Sequence, residues 1–139
     1  MSTRTDLRAA IAAKVEEALP YAKVIEGATP DLLSAGRPDR LLVEVVYPRV
    51  SIDQSRELGA VRQPERWEFD IFFLIPGEGS QSTSADEVFD QLTTYLVPTT
   101  GWRPISGFDE VQRVEETFEG TGQVGSIYRL TVACNRYIA

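Results

Sequence analysis

Gly120, Gly122 and Gly125 stand in the string GTGQVG, the glycine spacing that lets a backbone approach a dinucleotide pyrophosphate. That chemistry needs a strand before the glycines and a helix after them, because the helix N-terminus holds the phosphates. The residues that follow, SIYRLTVAC, alternate and are β-branched, which predicts a strand. The string is therefore read as the loop of a β-hairpin. Two adjacent acid pairs, Asp109–Glu110 and Glu115–Glu116, carry enough charge for a hard cation or for acid–base work. Neighbours on a strand point to opposite faces, so neither pair converges on one point. The second pair reads instead as a solvated acidic edge that discourages strand-to-strand aggregation. Cys134 is the single cysteine, which excludes an internal disulfide and a cysteine-based zinc cluster. It lies in the apolar run YRLTVAC, the setting of a buried structural thiol rather than a nucleophile. Histidine is absent, which removes Ser-His-Asp and Cys-His catalysis and histidine metal sites. No catalytic, metal-binding or cofactor-binding residue is assigned, and the chain is expected not to be an enzyme.

Contact with other proteins suits the residues better. PRVSIDQSRELGAVRQPER, residues 48–66, joins two strand-like stretches and holds four arginines, three acids and two prolines. Structureless connections of this length are uncommon in compact domains and usually have a function. Its apolar residues Val50, Ile52, Leu58 and Val61 are too sparse for a core but sufficient to anchor on a neighbour. Arg49, Arg56, Arg62 and Arg66 alternate with Asp53, Glu57 and Glu65 and could pair across subunits. Arg49, Arg56, Glu57, Leu58, Arg62 and Arg66 are thus interface candidates on an extended assembly loop. The alternative is a solvated hairpin extension. A second candidate is TTGWRPISGF, which sets Trp102, Arg103 and Phe108 among turn formers. Trp and Arg are typical interface anchors, although Trp102 could equally fold back as a plug over the helix ends.

The elements that must position these residues are legible in the periodicity. Leu7, Ala10, Ile11, Val15, Ala18 and Leu19 repeat at helical spacing, with Thr5 and Asp6 able to cap the start and Pro20 to end the helix. A short strand AKVIEG follows, then a connector rich in Gly, Pro and Asp. RLLVEVVYP is apolar almost throughout, a strand buried on both faces or with one face at an interface. In RWEFDIFFLIP, Trp67, Phe69, Ile71, Phe73 and Ile75 point one way, while Glu68 and Asp70 give way to Phe72 and Leu74 on the other. Ser84 and Glu87 form a capping-box signature for a second helix, whose apolar face is Val88, Phe89, Leu92, Tyr95 and Leu96. DEVQRVEETFEG and GSIYRLTVACNRYI read as a closing pair of strands. Arg129, Thr131 and Asn135 fall on one face of the last, a polarity that suits a surface strand. The expected fold is a single α+β domain over residues 1–139. It is a two-layer arrangement of a mostly antiparallel four- to five-stranded sheet with two helices packed on one face.

The chain has 139 residues, 42% hydrophobic and 25% charged, an ordinary soluble composition. Fourteen Lys and Arg against 21 Asp and Glu leave a net charge of −7, which argues against a general nucleic-acid surface. The opening MSTRTDLRAAIAAKVEEAL lacks a long apolar run and is acidic in its second half, so no secretory signal is expected. No stretch approaches the roughly 20 apolar residues of a membrane span. A soluble protein made in a reducing cytoplasm is the expectation.

The leading helix DLRAAIAAKVEEALP, the Pro-rich TPDLLSAGRPDRLLVEVVYP, the aromatic strand RWEFDIFFLIPG, the helix SADEVFDQLTTYL and the closing hairpin follow one another in an informative order. This order, over nearly the whole chain, resembles the tail-terminator (tail-completion) proteins of long-tailed bacteriophages. Small neck and head-completion proteins of the same virions are similar. The resemblance implies a structural protein of the virion's tail-neck region, assembled in the host cytoplasm as a homo-oligomeric ring, generally a hexamer. One face of the ring would stop polymerisation of the tail tube protein and the other would receive the head connector. DNA would pass through the lumen without specific binding, and no membrane is involved. No catalytic residues are carried over from that family. Beside this stands a small α+β ligand-binding domain or enzyme, which would need convergent polar groups between helices and sheet.

Overall fold

The computed structural model describes residues 2–27, 40–52, 63–76, 84–122 and 125–138. Helix α1 spans Thr3–Ala18. Its N-cap is Ser2, whose hydroxyl accepts from Thr5 N at 3.1 Å, so the cap lies earlier than the expected Thr5 and Asp6. Asp6 sits inside the first turn, where its carboxylate faces the positive end of the helix dipole. Leu7, Ile11, Val15, Ala18 and Leu19 are buried as the spacing predicts, with Ala12 rather than Ala10 completing the face.

Strand β1 (Lys23–Gly27) lies parallel to β2 (Leu42–Val46). Strand β3 (Arg49–Ile52) pairs antiparallel with β4 (Gln63–Pro76). Helix α2 (Ala85–Leu96) is capped by Ser84, whose Oγ accepts from Glu87 N at 3.2 Å. Strands β5 (Gln112–Gly122) and β6 (Gly125–Ile138) close the order, flanking the GTGQVG string with strand on both sides and no helix. The sheet runs β1-β2-β4-β6-β5, with β3 also on β4, and every pairing but β1–β2 is antiparallel. The expected α+β architecture holds, with six strands among the described residues rather than four or five, the extra one being β3.

Both helices cover one face. Leu7, Ile11 and Val15 of α1 and Val88, Phe89, Leu92 and Leu96 of α2 pack in one cluster with Val43, Val45, Trp67, Phe69, Ile71, Phe73, Leu130, Val132 and Cys134. Tyr95, expected on that apolar face, is exposed at the side of α2. All five residues of β2 are buried, so this strand is covered on both sides. On the opposite face Leu42 and Leu74 form a small second cluster with Ile25, Phe72 and Ile127. The strongest constraint is β4 against β6, paired from Gln63↔Ile138 to Pro76↔Gly125. At its end Gly125 has φ +148°, and a side chain there would run into the Ile75 carbonyl oxygen. Only glycine suits that close approach.

Candidate assembly surface

The polar stretch 48–66 is shorter as a connection than its sequence suggests. Both of its ends are strand, with Arg49 opposite Glu68, Val50 opposite Trp67 and Ser51 opposite Arg66. Val50 turns its side chain to the main core. Arg49 and Arg66 share the other face with Glu68 and Asp70. Arg49 Nη2 donates to Glu68 at 3.0 Å, Arg66 Nε to the other Glu68 oxygen at 2.9 Å, and Arg49 Nη1 closes tightly on Asp70. Arg56, Glu57, Leu58 and Arg62 lie outside the described residues.

Asp70 is the centre of this lattice. It is nearly buried, and it accepts from Thr131 Oγ1 at 2.8 Å on β6. Arg129, two residues along β6, lies 3.7 Å from Asp70 and reaches on to β5, with Glu119 at 2.7 Å and Glu115 at 3.9 Å. Three arginines and four carboxylates thus tie β3, β4, β6 and β5 together across the face that the helices leave free. The Arg66 hydrogen bond holds the Glu68 carboxyl below the usual range against the opposing effect of burial, and the weaker Arg49 bond adds to it. The Asp70 hydrogen bond raises the Arg49 guanidinium further above neutrality. Thr131 is buried rather than on a surface strand, because β6 is flanked by β4 and β5. From the sequence, Glu68, Asp70, Arg129 and Thr131 are polar strand residues and not site candidates. Their only signal is that each pair occupies alternate positions, i and i+2, on two strands that turn out to be neighbours.

Strand β5 stands at the sheet edge, and Glu115, Glu116 and Glu119 line it as an acidic edge should. Glu116 pairs with Arg113 at 3.3 Å. The edge also presents two apolar residues, Phe118 at 58% and Val114 at 40% exposure. Phe118 leans on Tyr128 (centroids 5.2 Å apart), Tyr128 stacks on Phe73 (5.4 Å), and Phe73 meets Phe89 edge-on (5.0 Å). The exposed ring is the outer end of an aromatic row rooted in the core, so it is held in place before any partner arrives.

Trp102 is half-buried against the core, with Lys14 Nζ 5.3 Å from its ring centre and its carbonyl accepting from Val111 N at 3.0 Å. It therefore sits as a plug beside α1. Arg103 next to it is exposed. Phe108 is a core residue, edge-on to Trp67 at 5.3 Å. Arg4 and Arg136 both lie over the Trp67 ring, and Glu65 accepts from Trp67 Nε1 at 3.1 Å and Arg136 Nε at 2.9 Å. Nearby, hydrogen bonds to Thr5 and Ser2, with Arg8 and Arg4 adding their charge, pull the Tyr47 hydroxyl below its usual value.

These charges are spent on one another rather than gathered around a cavity. Among the described residues, no three acids or thiols converge to hold a metal ion. An open groove of about 440 Å³ lies at the end of α1, lined by Glu16, Leu19, Pro20, Ala22, Lys23, Val24 and Arg40. Its lining carries the charged groups Glu16, Lys23 and Arg40 and no serine, threonine or cysteine hydroxyl or thiol. Cys134 is buried at the sheet centre, its thiol pushed up to about 12 by burial and then by Asp109. No helix among the described residues is long and apolar enough to cross a membrane. No protein-family model matches this chain, and no curated protein matches it.

Proposed function

We propose that this chain is a structural assembly protein, a ring-forming tail terminator that caps the tail tube of a long-tailed phage and offers its other face to the head connector. One observation carries the reading. The order of elements that resembles that family accompanies an open sheet, whose edge strand β5 presents the exposed Phe118 and, four residues before it, Val114. Exposed aromatic residues fixed by a rigid scaffold are anchors for protein contact. The net charge of −7 supports the same role, since an acidic lumen repels phosphate and lets DNA slide through.

The test is size-exclusion chromatography with light scattering, on the protein alone and mixed with tail tubes, followed by negative-stain imaging. A ring of several copies, formed alone or on meeting the tube, is expected. A strict monomer that never touches tube ends contradicts the proposal.

A further inference from the structure

We infer that the β5 edge docks a second copy of this chain, and that what it receives is the arginine-bearing face of that copy's β3–β4 hairpin. The inference rests on the assembly reading above and names the partner of its surface.

Three features of the molecule lead there. The first is an unpartnered edge with an apolar centre: among the described residues β5 pairs with β6 alone, and Phe118 stands more than half exposed on it. Two register irregularities, at Arg113/Glu115 and Phe118/Gly120, interrupt the strand and make it a poor template for indiscriminate strand addition. The second is the sign of its charge. Glu115, Glu116 and Glu119 flank Phe118 and outnumber Arg113 and Arg129, the two arginines that pair with them, so bringing two β5 edges together would set an excess of carboxylate against the same excess. A two-fold contact through this edge is therefore disfavoured, and the partner must bring cations. The third is that the same chain carries exposed arginines across the sheet from β5, each already meeting one of its own carboxylates. Arg49 and Arg66 lie on the β3–β4 hairpin with side chains 54% and 42% exposed. Arg66 binds Glu68 through Nε, and among the described residues its terminal amino groups have no partner, leaving donors of the guanidinium fork for a further carboxylate.

Acidic edge on one side and arginines on the other make the contact heterologous, one surface meeting a different one. Such contacts repeat from copy to copy and close into a ring when the rotation allows. Opposite charge fixes the polarity of that repeat and suppresses the like-with-like alternative.

The experiment compares the concentration dependence of assembly, by light scattering, for the wild-type chain, Phe118→Ser, Glu116→Arg and Arg66→Glu. Circular dichroism and thermal unfolding confirm that each variant is folded. Each substitution is expected to raise the concentration needed for assembly by ~10-fold or more. Equal mixing of E116R with R66E is expected to restore assembly, because each variant supplies the charge that the other lacks. Three results overturn the inference. If all three variants assemble as the wild type does, β5 is not the interface, and the ring reading stands without it. If the single variants are weakened but the mixture does not recover, the hairpin is not what β5 receives. If the wild type stays monomeric with and without tube ends, the inference falls together with the ring reading.

Discussion

Replacing Asp70 by alanine should be the most damaging single change on the helix-free face of the sheet. Its carboxylate keeps only 9% of its side-chain surface and serves Thr131, Arg49 and Arg129 at once. Removing it leaves the buried Thr131 hydroxyl without its acceptor, which costs about 1–3 kcal/mol. It also removes charge-assisted bonds worth about 1.5–3 kcal/mol, of which we take the lower part because Arg49 is half exposed and can return to water. The sum is about 2.5–4.5 kcal/mol, comparable with the roughly 3–5 kcal/mol of a fully buried ion pair broken on one side. Asp70→Asn keeps an oxygen for Thr131 and loses the charge, so about 1–2 kcal/mol is expected. Urea unfolding followed by circular dichroism measures both, and a double-mutant cycle with Thr131→Val should return a coupling of about 1 kcal/mol. If D70A falls within about 0.5 kcal/mol of wild type, as ordinary surface substitutions do, the lattice is decoration and the reasoning fails. Zero coupling to Thr131 would refute the central hydrogen bond specifically.

Gly125→Ala should cost more than ~2 kcal/mol, because a methyl group there meets the Ile75 carbonyl at a φ of +148°; near-neutral urea unfolding would show that the backbone can shift to admit it. Glu68 is held below the ordinary carboxylate value of about 4.3, so its contribution to stability is complete above pH ~5 and is lost as pH falls through the lower folded value. Glu68→Gln should therefore be less stable than wild type at pH 7 and lose less stability between pH ~5 and ~3, whereas parallel thermal-melt profiles would contradict the ion-pair account. With its thiol pushed up to about 12, Cys134 should resist iodoacetamide at pH ~8 until the chain is unfolded in urea; labelling of the native chain at the rate of a free thiol would place it on the surface.

The helix-facing half of the sheet was legible in the sequence because burial there writes a period directly into the residues. Trp67, Phe69, Ile71 and Phe73 alternate along β4 and all lie in the main core, and Val88, Phe89, Leu92 and Leu96 mark the inner face of α2. Strand β3 escaped because Arg-Val-Ser-Ile is too short and too polar to carry a period, and its strand conformation comes from the partner that β4 supplies. The α1 cap was displaced for a related reason: Ser2 has a threonine rather than Glu or Gln three residues on, so half of the reciprocal capping signature is missing. The charged lattice was the least legible part. Arg49 read as an interface candidate and Glu68, Asp70, Arg129 and Thr131 singly as polar strand residues, and only the registers of β3 on β4 and of β4 on β6 bring them together. The β5 acids were legible as an edge, whereas the exposure of Phe118 depends on how far the helix layer reaches across the sheet, which is a tertiary property.

The most direct test of the account is growth of the tail tube itself. Tube protein is allowed to polymerise, this chain is added, and tube lengths and ends are scored by negative-stain microscopy. Arrested growth with a ring of density at one end of each tube is the predicted result. Tubes that keep lengthening at the untreated rate, with bare ends, would contradict it.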